Sequence, residues 1–273
     1  MLLGFIEAKF LIPEQEQEVA IAELSEWGFD GFLQDSNYLL AYTTYVDPLL
    51  IPPSLKTRLV EQKYIEPQNW NALWEQNFEA VAIDQFCYIY PPFQKPLPQL
   101  QYYICIQPQM AFGTGHHPTT QLVIRLMQHL ELQAKNVADV GCGTGILGIL
   151  AAKMGATHVV FLDTDPIAIQ NTQENLMLNQ IANATVLLIP IIPIIEWPYS
   201  PYHLLVANIE RNVLLQNASE YTRHLAPGGY LILSGFLVQD TPTLLHTYQS
   251  LGLKTIQSLR KDNWSAILLQ RNH

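Results

Sequence analysis

The stretch that most constrains what this chain can fold into is VADVGCGTGILGILAAKMGATHVVFLDTDP, residues Val137 to Pro166. A short apolar strand (Val137, Ala138, Val140) runs into three glycines on alternate positions, Gly141, Gly143 and Gly145, and then into a helix from Ile146 to Met154. A second strand, His158 to Leu162, ends at Asp163. Glycine is costly inside helices and strands, so a cluster at a strand-to-helix turn marks a special backbone or a close approach. Such a turn aims the free N–H groups of the helix start at a ligand, and an acid about twenty positions on suits the two hydroxyls of a ribose. The stretch predicts an α/β domain built around a nucleotide-like cofactor.

Two cofactors compete for it. Gly143 to Gly148 spells GxGxxG, which with Asp163 fits a nicotinamide dinucleotide. Taken from Asp139 to Gly145, an acid followed by alternate glycines, the stretch resembles the S-adenosylmethionine-dependent methyltransferases of the seven-stranded Rossmann-like type. Asp139 is expected to hold the turn by hydrogen bonds rather than touch the ligand, and Cys142 to fill a small space.

A chain of 273 residues is comfortable for two domains. Apolar residues make up 49% and charged residues only 14%, with a net charge of −10, so a large core is expected. The longest apolar run, Val186 to Ile195, is broken by Pro190 and Pro193 and falls short of the roughly 20 residues that span a bilayer. The opening MLLGFIEAKF has no basic leader or cleavage site and reads as a strand. Cys87, Cys105 and Cys142 form no CxxC, and the eight histidines no HExxH, which argues against a disulfide framework or a metal site. These features predict a soluble cytoplasmic protein without metal or membrane contact. Residues 1–80 hold 13 Asp and Glu against 4 Lys and Arg, the rest 11 against 10. An acidic N-terminal part repels nucleic-acid phosphate and attracts a basic protein. Glu14, Glu16, Glu18, Glu23 and Glu26 read equally well as the solvated face of one helix.

Leu2 to Ile12 reads as a strand, and Pro13 opens a helix to Trp27 with Val19, Ala20, Ala22, Leu24 and Trp27 as its buried face. Phe29 to Leu33 and Tyr38 to Tyr45 form a hairpin around Asp35-Ser36-Asn37, and Ser54 to Tyr64 a second helix. That order predicts a small ferredoxin-like α+β domain over residues 1–66. Residues 67–80 form a helical linker with Trp70, Trp74 and Phe78 on one stripe, and residues 81–273 the cofactor domain. Phe86 to Tyr90 and Tyr102 to Ile106 are strands flanking a proline-rich loop. The segment MAFGTGHHPTT, Met110 to Thr120, combines a glycine pair with hydroxyls and histidines and reads as a flap over a ligand; a helix starts at Thr119 or Thr120 and ends near Leu132. Beyond Asp163 come a helix capped by Asp165 (Pro166 to Asn179), a strand (Thr185 to Ile189), an irregular segment (Pro190 to Pro201) and a strand (His203 to Ala207) ending at Asn208. A helix from Arg211 to Leu225, closed by Ala226-Pro227-Gly228-Gly229, is followed by a strand (Tyr230 to Ser234), a helix (Thr241 to Leu251) and strands Lys254 to Leu259 and Ser265 to Gln270. Alternating strands and helices predict a doubly wound, mostly parallel sheet. Its ligand belongs outside the carboxyl ends of the strands, where the glycine turn, Asp163 and Asn208 fall.

In this order and spacing, AFGTGHHPTT, VADVGCGTGILGILAAKMGA, FLDTDPIAI and VANIERNVLL resemble the PrmA family, S-adenosylmethionine-dependent methyltransferases of large-subunit ribosomal protein eleven; NWNALWEQNFEAVAIDQFCYIYPPF extends the similarity. The FGTG-H-x-TT loop is far more specific to that family than the glycine turn, and it takes weight from the dinucleotide reading. The resemblance implies a protein-lysine N-methyltransferase that trimethylates lysine ε-amines and the N-terminal α-amine of that protein. It also implies a small N-terminal domain recognising the basic substrate and a mobile linker. Carried over by motif position, the cofactor contacts are Thr120, Gly141, Asp163 and Asn208, with Phe112, Gly113, Gly143 and Gly145 in the same pocket walls. Two positions depart from the pattern. Glu210 stands where the family usually has an apolar or amide residue, and within Val186 to Trp197 the position directly after the strand is apolar where an acid usually lies beside the adenine. A monomer is expected.

A methyl carried on a sulfonium needs no metal to activate it. The acceptor amine must be aligned and dry, and positioning alone is worth about 7–11 kcal/mol of barrier. A lysine ammonium, with a reference pKa of about 10.4, must first lose a proton, which a desolvated pocket favours. A neutral acceptor such as the Asn208 side-chain oxygen holds the amine without fixing it as a cation. Asn208 is therefore the candidate catalytic residue, orienting the amine or the methionine end of the cofactor, with no obligate nucleophile; its simplest structural role is to cap the next helix. Transfer to another amine, or S-adenosylmethionine binding without catalysis, are the alternatives the residues leave open.

Overall fold

The computed structural model describes residues 5–29, 31–44, 51–65, 79–96, 99–107, 113–189 and 197–272. The chain divides into two compact units, residues 1–77 and 78–273.

In the first unit, β1 (Phe5–Leu11), α1 (Glu14–Glu26), β2 (Gly31–Asp35), β3 (Tyr38–Thr43) and β4 (Leu59–Ile65) form an antiparallel sheet in the order β2-β3-β1-β4 with one described helix. Alternation along β1 and β3 sends Ala8, Phe10, Leu39 and Ala41 to one face, where they meet Ala20 and Leu24 of α1. The expected buried face of α1 is only partly right. Val19 is 73% and Trp27 37% exposed, Ala22 is exposed too, and Gln17 takes an inner position instead. Its amide nitrogen donates to the carbonyls of Ile12 (2.9 Å), Asp35 (2.6 Å) and Tyr38 (3.3 Å), which a leucine could not do. The helix expected over Ser54 to Tyr64 is absent: a 3-10 turn (Lys56–Arg58) leads into β4, which runs along β1 from Phe5↔Ile65 to Phe10↔Leu59. Glu61, Gln62 and Lys63 are good helix formers, but the free edge of β1 supplies ladder hydrogen bonds that outweigh propensity. The aromatic stripe of Trp70, Trp74 and Phe78 lies outside the described residues, as does most of the predicted linker.

The second unit opens with a small sheet, β5 (Val81–Ile83), β6 (Cys87–Tyr90) and β7 (Tyr102–Cys105), before α2 (Pro118–Met127). Then come β8 (Asn136–Val140), α3 (Ile146–Lys153), β9 (His158–Asp163), α4 (Pro166–Leu178), β10 (Ala184–Leu188), β11 (Tyr202–Asn208), α5 (Arg211–Gln216), α6 (Ala218–His224), β12 (Leu225–Leu237), α7 (Thr241–Ser250), β13 (Leu253–Lys261) and β14 (Trp264–Arg271). The seven strands from β8 to β14 make one sheet in the order β10-β9-β8-β11-β12-β14-β13, with β14 antiparallel to both neighbours. The expected seven-stranded Rossmann-like sheet is present. Its inner strands β8, β9 and β11 are apolar on both faces. Val137, Val159, Phe161, Leu204 and Val206 pack under α2 and α3, while Ala138, Val160, Leu162, Leu205 and Leu233 pack under α5, α6 and α7.

Three local expectations fail. α2 starts at Pro118 with His117 as its cap, not at Thr119 or Thr120, and ends at Met127, because proline's fixed φ suits the first helical position. The helix expected from Arg211 to Leu225 breaks at Asn217, whose side chain donates to Val213 O (2.9 Å). Ala226 to Gly229 is not a closing turn but a bulge inside β12. Tyr202 pairs with Leu225 and Leu204 with Tyr230, and a Cβ on Gly229 would press on the Ala226 and Tyr202 carbonyls.

Candidate functional site

From β8 the sheet grows one way through β9 and β10 and the other way through β11 and β12, so the chain reverses direction between β8 and β11. Crevices at such reversals, beyond the carboxyl ends of the strands, are where open α/β sheets bind ligands. A cleft of about 640 Å³ lies there, walled by Gly141, Gly143, Asp163, Asn208, Glu210 and Trp264 among others.

The glycine turn is held on its underside. Gly141 N and Cys142 N donate to Leu162 O (2.7 and 3.1 Å), and Gly143 N to Asp163 Oδ2 (2.9 Å). The other Asp163 oxygen accepts from Asp165 N (3.0 Å). Each carboxylate oxygen keeps lone-pair capacity for a hydroxyl donor on the cleft side. Gly141 has φ +68°, and a Cβ there would come closer than 3.0 Å to Ile209 Cγ2; Gly235, φ +91°, would press a Cβ onto the Ile209 backbone. Glycine at both positions lets β8, β12 and the Asn208-Ile209 turn converge.

Asp139 is fully buried and its Oδ2 accepts from Gly148 N (2.8 Å), tying the turn to α3. Burial, more than the nearby Asp163 charge, pushes its carboxyl up to about 7. Gly148 is required by packing as well, since a Cβ would collide with the Phe161 ring. Cys142 is buried beside Thr172 Oγ1 (3.4 Å).

Asn208 ends β11. Its Oδ1 is buried and has no hydrogen-bond partner, while the cap position of α5 belongs to Glu210. A buried acceptor left unpaired costs about 1–3 kcal/mol, so a donor is called for at this wall. Glu210 is exposed in the cleft and accepts from Asn212 Nδ2 (2.9 Å).

Other expected site residues stand elsewhere. Thr120 is fully buried, its Oγ1 also without a partner, and the neighbouring Thr119 is the one on the cleft wall. Gly113 accepts from Thr144 Oγ1 (2.7 Å), and Gly145, φ +78°, caps α3 against Thr172; neither is a wall residue. Phe112 lies outside the described residues. His117 lines the cleft, where sequence suggested only a flap. Its Nδ1 accepts from Thr119 N (3.3 Å) and meets Thr119 Oγ1 at 2.7 Å, which leaves the neutral ring's proton on Nε2. Burial holds its pKa below the ordinary value, and its ring stands edge-on to Trp264 at 4.8 Å. No local pattern marks Trp264, which arrives at the start of β14 by the hairpin from β13. Gly235 lies inside β12, which runs past Ser234, where the sequence reading ends this strand, to Leu237.

The cleft wall carries Asp163, Asp165 and Glu210 and, among the described residues, no lysine or arginine. A pyrophosphate would find no cation there, whereas a sulfonium, an ammonium and a ribose all fit. The unpaired Asn208 oxygen and the glycine cradle fit S-adenosylmethionine for the same reason.

Sheet order, reversal point and glycine turn together define the class: a Rossmann-like methyltransferase domain. Residues 11–272 match the family model described as ribosomal protein L11 methyltransferase (PrmA), and the chain belongs to that family. It is 38% identical to the ribosomal protein L11 methyltransferase of Porphyromonas gingivalis, covering 94% of this chain and 91% of the relative. It is 33% identical to that of Chlorobaculum tepidum, over 97% and 96%. Among solved structures, the ribosomal protein L11 methylase of Lactobacillus delbrueckii subsp. bulgaricus superposes with a TM-score of 0.65 at 27% identity, over 72% of this chain and 100% of that one.

Proposed function

We propose that this chain is an S-adenosylmethionine-dependent methyltransferase of ribosomal protein L11, acting on lysine ε-amines and the N-terminal α-amine. The observation that carries the reading is the unpaired, buried Asn208 oxygen on an anionic cleft at the reversal point, in a chain of the PrmA family. When bound, S-adenosylmethionine supplies a methyl group on a cationic sulfonium. Asp163 would accept from the ribose hydroxyls, and Gly141 and Gly143 would let the backbone approach. Asn208 Oδ1 would accept from an amine, either the cofactor's own or that of the substrate, without the charge that would lock lysine as an ammonium. His117 and Trp264 shield the amine from water. Thr120, Gly113 and Gly145 belong to the same site by motif position, and Phe112 is assigned to it by its motif alone.

The reading extends to the whole molecule. Residues 1–66 serve as a substrate-recognition domain, ferredoxin-like in its strand order although lacking a described second helix; residues 67–80 are its linker and 81–273 the methyltransferase domain. The enzyme works as a cytoplasmic monomer on a basic protein, without direct contact with nucleic acid or membrane. Among the described residues no helix is long and apolar enough to cross a membrane.

The test is mass spectrometry of L11 incubated with the protein and S-adenosylmethionine. Added 14-Da increments on lysine and the N-terminus are expected, about tenfold or more slower with Asn208→Ala. Unmodified L11, or full turnover by Asn208→Ala, would refute the assignment.

A further inference from the structure

A second cleft, of about 500 Å³, lies wholly within the N-terminal unit, between the first turns of α1 and the β2–β3 turn; Glu14, Gln17, Glu18, Gln34, Asp35 and Ser36 line it. The acids alone would be a solvated surface. Gln17 makes them more than that. It is fully buried, and its side-chain nitrogen is identified as nitrogen by the three carbonyls around it, those of Ile12, Asp35 and Tyr38. The amide oxygen therefore faces away from those carbonyls, and it is buried with no hydrogen-bond partner. An unpaired carbonyl-type oxygen on the wall of a cleft wants a donor. The cleft offers few of its own. Gln34 Nε2 gives one of its two N–H groups to Glu18 Oε1 (3.3 Å), Asp35 Oδ1 accepts from Ser36 N (2.7 Å), and no lysine or arginine is among the lining residues. Among the described residues, Arg58 pairs with Glu16 and Lys63 with Glu7, but Glu14, Glu18 and Asp35 enter no ion pair. Acceptors outnumber donors, and the surplus is negative.

We propose that this cleft is a docking site for one basic side chain, lysine or arginine, of the protein substrate. The N–H groups of its cationic head satisfy Gln17 Oε1, and its charge pairs with Glu14 and Glu18. The site holds an anchor residue and not the amine that is methylated, because carboxylates keep an amine protonated and unreactive. Its chemistry stands on the cleft; only the identity of the substrate rests on the proposed function.

The test uses the full chain and the double variant Glu14→Gln/Glu18→Gln, which keeps shape and leaves Gln17's carbonyl contacts intact. With L11 as substrate, KM should rise about tenfold while kcat stays within twofold. S-adenosylhomocysteine affinity should not change. A direct probe separates this proposal from the enzymatic one: NMR titration with Nα-acetyl-arginine methylamide and Nα-acetyl-lysine methylamide. Saturable shifts of the Gln17 side-chain amide in the wild type, lost in the double variant, support the site even if L11 proves not to be the substrate. No shift with either amide, meaning that the cleft holds water only, or an unchanged KM for L11 overturns it.

Discussion

Replacing Gly141 by alanine tests whether the glycine turn is dictated by the space the cofactor cleft leaves. The residue sits at φ +68°, where an L side chain costs about 1–2 kcal/mol. The new methyl would lie closer than 3.0 Å to Ile209 Cγ2. Ile209 is β-branched and stiff at χ1, so it yields only by leaving its rotamer, at about 0.5–1.5 kcal/mol. The sum is about 1.5–3.5 kcal/mol, a fall in Tm of roughly 3–14 °C for a unit of this size. Gly252→Ala is the matched control, since φ is +86° there and a Cβ meets nothing within 4 Å. It should cost only the backbone strain, about 1–2 kcal/mol. Ile209 also lines the cleft, so its displacement should weaken S-adenosylhomocysteine by about tenfold or more in Gly141→Ala and leave Gly252→Ala unaffected. Differential scanning calorimetry and isothermal titration calorimetry read both quantities. Equal Tm losses in the two variants, with cofactor affinity intact in both, would refute the account of the turn.

Asp139 should give the fold a distinctive pH dependence. Its carboxyl rises from 3.8 to about 7 on burial, so the native state holds a proton that the unfolded chain has released. The stabilisation is complete below about pH 3.8 and is lost as pH climbs through 7, on the order of 4 kcal/mol in total. Asp139→Asn, whose carbonyl can still accept from Gly148 N, should therefore gain on the wild type between pH 5 and 7.5 in urea titrations; a constant difference across that range would contradict the buried-acid reading. Asn175 is a second inner polar residue, donating to Thr144 O (2.9 Å) and Asn171 Oδ1 (3.1 Å) and accepting from Gln107 N (2.8 Å). Asn175→Ala should cost about 2–4 kcal/mol, seen as a lower urea midpoint with unchanged slope. A loss below about 0.5 kcal/mol would show these bonds to be replaceable by water.

Much of the catalytic unit could be read along the chain because its signals are local. Gly141, Gly143 and Gly145 all have positive φ, Asp165 accepts from Ile167 N (2.8 Å) as a cap should, and the apolar runs of β8, β9 and β11 are buried on both faces. Where long-range pairing competes with local preference, the reading failed: β4 is built from helix-forming residues recruited by the edge of β1. The inner position of Gln17 was illegible for a related reason. A glutamine is expected in water, and only three carbonyls converging from the end of β1 and the β2–β3 hairpin make its burial favourable.

The sequence by itself determined which backbone can exist at the strand tips. Glycine spacing, capping residues and apolar periodicity act over a few bonds, and they specify a glycine turn, an acid one strand away and an asparagine at a third tip whatever the rest of the chain does. Tertiary structure alone decided which side chains share a wall. Trp264 and Gly235 reach the cleft because β14 and β12 are placed there by sheet order, and Thr119 rather than Thr120 faces it because the helix starts at Pro118. Proximity between residues far apart in the chain depends on strand order and helix phase, and no stretch of local sequence encodes either.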